Sequence, residues 1–220
     1  MKPLRIATLF AAACLLAACA TPKSYDYSAF LAARPKSILV LPPLNEALDI
    51  KASPSLLAQV SLPLAEAGYY VFPVAVVEES FRSNGLALPG EIHAVSPAKL
   101  REIFGADAVL YLRISEYGTR YAVLSSDTTV AASAKLVDLR NGSTLWEGSA
   151  RASSNENRNN NDGLLVMLVR AAVEQIVNTL NDQGHQIAGI TAQRLLTPRH
   201  NGMLHGPRSP HYGKDLPATR

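Results

Sequence analysis

Few side chains in this 220-residue chain are placed to do chemistry, and the best placed is a cysteine near the N-terminus. Cys19 follows Leu16, Ala17 and Ala18, and an apolar stretch with two basic residues at its start precedes them. A charged start, a short apolar stretch and small residues before the cut are typical of a secretory signal peptide. With the cysteine in this place the pattern is a lipobox. It predicts cleavage before Cys19 and acylation of its sulfur and new amino group by fatty acids such as palmitate.

Two other interpretations of the N-terminus are an ordinary secretory signal and a membrane-spanning helix. The apolar stretch, residues 6–16, is about half as long as the roughly 20 residues that a spanning helix needs. Ala18 and Ala20 could flank the cut of an ordinary signal, but only the lipobox uses the cysteine. Two or three acyl chains hold a protein on a membrane durably, whereas one chain does not. We therefore predict a signal peptide over 1–18 and lipidation at Cys19.

The residue after the cysteine bears on the destination of the mature chain. It is Ala20, whereas bacterial lipoproteins retained at the inner membrane tend to carry aspartate there. We therefore expect an outer-membrane lipoprotein that faces the periplasm.

No catalytic pattern accompanies the cysteine. The sequence has no Gly-x-Ser-x-Gly, no His-Glu-x-x-His and no glycine-rich phosphate loop. His93 and His185 fall in or near the expected folded body, yet no Ser, Asp or Glu stands out as the partner that a general base needs. His200, His205 and His211 match no metal site of fixed spacing. We expect no enzymatic activity, no metal ion and no cofactor.

The charge balance excludes one class of partner. The chain has 21 basic and 18 acidic residues, and removal of 1–18 takes away Lys2 and Arg5, which leaves a net charge of +1. Such a balance gives no support for nucleic-acid binding. The same cleavage removes Cys14, and Cys19 is used by lipid, so no disulfide is expected.

The mature chain divides into a tether, a folded domain and a tail. Residues 19–35 show no sustained period and predict a lipid-anchored tether, in which Tyr25, Tyr27 and Phe30 either pack on the domain edge or act as interfacial anchors. Residues 36–189 predict one α/β domain. Residues 190–220 are rich in Pro, Gly, His and Arg with a local charge of +4, which predicts a flexible basic tail. That tail is either solvated or in contact with anionic headgroups or another envelope protein.

Apolar periodicity predicts the order β-α-β-α-α-β-β-β-α within the domain. The expected strands cover residues 37–41, 69–74, 106–117, 128–139 and 143–152, with residues 121–124 continuing the β pattern before the fourth of them. The expected helices cover residues 53–68, 75–83, 98–104 and 164–180. Ser53-Pro54 and Ser96-Pro97 mark helix starts, Pro63 predicts a kink, and Asn141-Gly142 is a strong hairpin signal. These elements predict a three-layer sandwich with a mixed sheet.

The helix expected over 164–180 carries more apolar surface than packing on a sheet by one face requires. Two interpretations stay open: burial beneath the preceding loop, or a homodimer or partner surface. The residues of this surface are Leu164, Val166, Met167 and Val169.

Several features form a set: the lipobox at Cys19, the strand 37–41 ending in Pro42-Pro43, the segment from Gly105 to Leu110, and the run from Leu136 to Gly142 before Leu145-Trp146. Over nearly the full length they resemble a family of Gram-negative lipoproteins of unknown function. The element order and the Gly-Ala-Asp and Asp-x-x-x-Gly-x-x-x-Trp signatures are more distantly similar to the amino-terminal domain of TolB. Lipoproteins of the CsgG type and lipoprotein activators of penicillin-binding proteins share these signatures. The resemblance implies an accessory role and supplies no catalytic residues.

We expect a non-catalytic accessory or adaptor protein in envelope assembly, secretion or transport, with an envelope protein as partner. Self-association as a homodimer is a further expectation. One alternative is a component of a CsgG-like secretion channel, for which residues 117–133 are the sole candidate for a lipid-facing strand. The other is a periplasmic enzyme of unknown reaction, for which His93 would be tested first.

Overall fold

The computed structural model describes residues 25–122, 125–156, 182–199 and 201–215. The predicted signal peptide and Cys19 lie outside the described residues. So do Leu164, Val166, Met167 and Val169, so the interpretation of that surface stays a prediction.

Six helices and six strands make up the described part. The helices are α1 (Ser28–Ala33), α2 (Ala52–Glu66), α3 (Val74–Ser83), α4 (Pro89–His93), α5 (Pro97–Phe104) and α6 (Gln183–Leu196). The strands are β1 (Ser37–Val40), β2 (Leu44–Asn45), β3 (Tyr70–Val71), β4 (Ala108–Ala122), β5 (Ser125–Asp138) and β6 (Thr144–Ser153). Without the short elements α1, β2 and α4, the elements up to β6 follow the predicted order. The predicted last helix, residues 164–180, lies outside the described residues, and α6 is a helix that the sequence pattern did not predict.

The strands form one mixed sheet in the order β3-β1-β4-β5-β6. β1 pairs in parallel with β3 and β4, and β2 extends the parallel pairing farther along β4. β4, β5 and β6 pair antiparallel, with a register shift between Ile114 and Glu116. Because β4 and β5 have 15 and 14 residues, their hairpin extends well beyond the short parallel strands.

Two apolar clusters bury the two faces of the sheet and produce the predicted three layers. On one face, α2 and α6 cover a core that includes Leu56, Leu110 and Trp146. On the other face, the helices α3 to α5 cover a smaller cluster that includes Leu39 and Val109. The smaller cluster ends partway along β4 and β5, so the rest of that face has no helical cover within the described chain.

One of the two predicted helix starts is wrong. Ser96 caps α5 as expected, since its Oγ accepts a hydrogen bond from Lys99 N at 3.3 Å. Ser53 does not cap α2, which begins at Ala52, and its Oγ instead donates to Pro43 O at 3.0 Å. α2 also continues through Pro63 to its end.

The prediction of a flexible tail from residue 190 is wrong for the described residues up to 215. α6 runs to Leu196 because Ala188, Ala192 and Leu195 repeat at helical spacing and are buried. The chain after α6 returns to the end of α2, where Met203 is fully buried. The sequence pattern does not predict this packing, because the Pro, Gly and His residues of the segment are typical of loops.

The predicted tether ends earlier than residue 35. Tyr27 and Phe30 are buried in the larger core, and the Tyr27 hydroxyl donates to Gly202 O. Packing on the domain edge is therefore confirmed for these two aromatic residues, and residues 25–35 belong to the domain.

Candidate functional site

The helices α3 to α5 leave part of one sheet face uncovered. This part, here called the open face, is a concave surface lined by several polar side chains. Its side chains come from three neighbouring strands in register, because Tyr111 pairs with Lys135, which pairs with Glu147. Strand side chains alternate between faces, and the intervening Leu112 and Ala134 point into the core. The open face comprises Tyr111, Arg113, Ser133, Lys135, Glu147, Ser149 and Arg151.

A cavity of about 460 Å³ lies on the open face. Besides the strand residues, Leu44 and His93 line it. This volume lies within the roughly 300–1,000 Å³ of small-molecule sites. It also suffices for one large side chain of a partner protein.

His93 is held in a fixed orientation at the margin of this cavity. Its Nε2–H donates to Pro42 O at 2.9 Å, and its ring meets that of Tyr111 edge to face at 5.2 Å between centroids. Burial lowers the pKa of His93, the bond to the Pro42 carbonyl opposes this shift, and the Arg113 cation adds to it. The imidazole is therefore neutral at neutral pH, with Nδ1 left as an acceptor.

Ion pairs neutralise most of the charge on the open face. They join Arg113 with Glu46, Lys135 with Glu147 at 3.1 Å, and Arg151 with Glu116 at 3.0 Å. Their side chains are 39–58% exposed, so each pair stabilises the fold by about 1 kcal/mol at most. The fold therefore does not depend on them, and their groups are available to a partner.

His185 makes a second polar contact that the sequence did not reveal. Its Nδ1 lies 3.0 Å from Ser55 Oγ, and its Nε2 lies 2.6 Å from Gln59 Nε2. A serine beside a histidine suggests a nucleophile and base, but Ser55 is only 7% exposed. The contact joins α2 to α6 across 130 residues of sequence, and no local spacing could have predicted it.

The remaining sequence-predicted residues have structural roles or lie outside the described chain. His205 binds Asp215 through its side chain and through its backbone N, the latter at 3.0 Å. Cys19 and the surface from Leu164 to Val169 lie outside the described residues. Within the described ranges, no helix has the length and apolar character needed to cross a membrane.

Comparison with known proteins identifies the family. Residues 25–208 match the model described as "Putative lipoprotein GNA1162-like". A protein of Neisseria meningitidis serogroup B, "Putative lipoprotein NMB1124/NMB1162", is 53% identical over 211 residues, which cover 94% of this chain and 97% of that protein. The chain belongs to the GNA1162-like lipoprotein family. The resemblance found from the sequence is thereby confirmed.

One solved structure of the family agrees with the mixed α/β fold of this GNA1162-like protein. The crystal structure of lipoprotein GNA1162 from Neisseria meningitidis is 57% identical with a TM-score of 0.52, covering 66% of this chain and 99% of that chain. The C-terminal domain of LpoB from Salmonella enterica is 19% identical with a TM-score of 0.40, covering 57% of this chain and 91% of that domain. The predicted fold class is confirmed by the first comparison.

Proposed function

We propose that this protein is a lipid-anchored accessory protein of the cell envelope that binds a protein partner through the open face. The lipobox at Cys19 and the lipoprotein family support the anchor. Ala20 supports the outer membrane, with the domain on the periplasmic side. The observation that carries the partner-binding role is the open face itself, a polar three-stranded surface around a cavity.

The composition of the open face suits a protein partner. Interface centres are enriched in tyrosine and arginine, and a polar rim surrounds them. Tyr111 and Arg113 line the cavity, with Lys135 and Glu147 beside them. A few buried anchor side chains supply most of the affinity of such interfaces. The partner expected here inserts one apolar or aromatic side chain into the cavity and places charged groups opposite the ion pairs.

The geometry favours binding over catalysis. Only Nδ1 of His93 is left to accept a proton, because Nε2–H donates to a backbone carbonyl, and the charged group that acts on the pKa of His93 is the Arg113 cation. A general base needs a nucleophile or water in hydrogen-bond reach and a group that stabilises its protonated form. A neighbouring cation does the opposite.

Exchange of one ion pair tests this function. The double variant Lys135→Glu with Glu147→Lys keeps an ion pair across β5 and β6 but reverses the charges that a partner meets. We expect the tagged, full-length, lipidated variant to fold normally and to lose at least tenfold in recovery of the envelope protein crosslinked to wild type in living cells. Like charges facing each other across an interface cost several kcal/mol.

A matched exchange on α5 provides the control. Lys99 and Glu102 form an exposed ion pair in which Lys99 Nζ lies 2.9 Å from Glu102 Oε1. This pair does not belong to the open face. Lys99→Glu with Glu102→Lys should leave recovery of the partner unchanged. Binding through the open face would be contradicted if the Lys135/Glu147 exchange recovered as much partner as wild type does. It would also be contradicted if both exchanges lost recovery to the same extent.

A periplasmic enzyme is the second candidate, because His93 lines a cavity large enough for a small substrate. A screen of wild type and His93→Ala against hydrolysable esters, amides and glycosides distinguishes the enzyme from the binding protein. Turnover by wild type that is lost in His93→Ala would favour the enzyme. Turnover unaffected by this substitution would not.

A further inference from the structure

The N-terminal segment enters the domain near one end of the sheet. Tyr25 N donates to Asn201 Oδ1 at 3.1 Å, and the Tyr25 hydroxyl accepts from Glu147 N at 3.1 Å. After α1, the carbonyl of Ala33 accepts a hydrogen bond from Arg140 at 2.8 Å. These contacts lead the chain to the end of the sheet where β1 and β4 begin and β5 ends, here called the anchored end.

The short segment before Tyr25 limits which part of the domain can reach a membrane. Cys19 precedes Tyr25 by six residues, which span about 20 Å at most. Tyr25 contacts Glu147, which lies level with Tyr111 through the strand register. Tyr121 is ten residues farther along β4, about 33 Å away. The end of the sheet formed by the β4–β5 hairpin, here called the hairpin end, is therefore beyond the reach of the anchor when the sheet stands upright.

The anchored end carries basic side chains without ion-pair partners. Within the described chain, Arg34, Lys36 and Arg208 are exposed and form no ion pair. Arg208 lies over the ring of Tyr70, 5.6 Å from its centroid, and Tyr70 N donates to Lys36 O at 3.0 Å. Tyr70 is 42% exposed. Tyrosine beside basic residues is the combination found at membrane interfaces.

The carboxylates at this end are largely occupied. Asp138 is buried and paired with Arg140, and Asp107 accepts the backbone N–H groups of Lys36 and Ser37 at 2.9 and 3.2 Å. Glu66, the last residue of α2, and Asp26, beside Tyr25, are exposed there, and the Asp26 carboxylate accepts the Ser28 N–H at 2.9 Å. The basic residues Arg34, Lys36 and Arg208 outnumber these two carboxylates, so the exposed charge of the anchored end is positive.

We propose that the anchored end, with Arg34, Lys36, Tyr70 and Arg208, rests on an anionic lipid surface beside the acyl chains of Cys19. The inference rests on the proposed lipid anchor and adds an orientation to it. The sheet stands upright, the hairpin end points away from the membrane, and the open face stays accessible from the side.

Depth-dependent quenching tests this orientation. The mature chain is expected to hold only the acylated Cys19, so an introduced cysteine is its single free thiol. Leu31→Cys marks the anchored end and Tyr121→Cys the hairpin end; both residues are exposed. Each full-length lipidated variant receives a fluorophore in vesicles of brominated phosphatidylcholine with one third phosphatidylglycerol. We expect quenching at position 31 and none at position 121.

Charge removal provides the second comparison. Lys36→Gln with Arg208→Gln, added to Leu31→Cys, should lower the ratio of docked to undocked domain by about 25-fold, at roughly fivefold per basic residue. Lys51→Gln with Arg120→Gln, near the hairpin end, should leave this ratio unchanged. Vesicles of phosphatidylcholine alone should abolish quenching at position 31.

The outcomes separate this inference from the anchor. A mature chain whose measured mass includes no acyl groups, or one that does not float with vesicles, contradicts both the anchor and the orientation. A lipidated, floating chain with quenching at position 121, at both positions or at neither contradicts the orientation alone. Quenching at position 31 that survives charge removal contradicts the electrostatic contact.

Discussion

Asp138 and Arg140 fix the end of β5 to the N-terminal segment. Asp138 is 1% exposed and accepts hydrogen bonds from Arg140 N at 2.7 Å and Nε at 3.0 Å. Burial raises the pKa of Asp138, but the Arg140 hydrogen bonds and charge outweigh it and hold the pKa below its usual value. The Asp138 carboxylate therefore stabilises the fold above the ordinary aspartate pKa of about 3.9. This contribution is lost as the pH falls through the lower, folded-state pKa.

Asp138→Asn is expected to remove that pH dependence. The amide keeps part of the hydrogen bonding but not the charge, so the variant should lose about 1–3 kcal/mol of unfolding free energy near neutral pH. Its stability should then fall less steeply than wild type below about pH 4. Urea unfolding across the acid range measures both effects. Parallel pH profiles for the two proteins would contradict this role.

Gly148 is required by the ring of Trp146. A Cβ at position 148 would lie 2.6 Å from Cη2 of Trp146, which is only 1% exposed and has no room to shift. We expect Gly148→Ala to lower the unfolding free energy by about 1–3 kcal/mol. Gly90→Ala, in α4 with no atom within 4 Å of the new Cβ, should be neutral or stabilising. Equal effects in urea unfolding would contradict this explanation.

The elements that local pattern controls were predictable, and those fixed by distant contacts were not. β1, α5 and the hairpin at Asn141 followed from apolar runs, a serine cap and a turn signal. α6 was missed because its apolar spacing stands beside Pro, Gly and His residues typical of loops. The open face was also missed, because it depends on which strands become neighbours. His93 was identified as the first residue to test, but its contact with Pro42 could not be foreseen.

The segment after α6 is expected to stabilise the whole fold. Gly206 N donates to Ala67 O at 2.7 Å, and the Tyr69 hydroxyl donates to Leu204 O at 2.6 Å. Met203→Ala should therefore lower the unfolding free energy by about 2–5 kcal/mol, because Met203 is fully buried. Tyr212→Ala, at a residue that is 44% exposed, should change it by less than about 0.5 kcal/mol. A flexible tail would make both substitutions neutral.

The proposed self-association belongs to the segment from Leu164 to Val169. If its apolar surplus forms a homodimer surface, Val166→Glu and Met167→Glu should each fold normally and sediment as monomers in analytical ultracentrifugation, while wild type sediments as a dimer. Variants that sediment like wild type would instead assign this surface to the core or to a different partner.

At the scale of the whole molecule, the proposed anchor, the charged anchored end and the open face form one arrangement. In this proposal the lipid holds the domain near the membrane, the basic end sets its orientation, and the open face stays accessible to a neighbouring envelope protein. The anchored chain thus searches two dimensions rather than three, which raises its effective concentration toward membrane-bound partners.

The most direct test of partner binding places a photoreactive amino acid at single positions of the full-length lipidated protein in living cells. Ser149 lies exposed on the open face, and Ala58 lies exposed on α2 in the opposite layer. We predict that illumination crosslinks position 149, and not position 58, to one envelope protein identified by mass spectrometry. Crosslinks from position 58 alone, equal crosslinks from both positions, or crosslinks to no other protein would contradict the account.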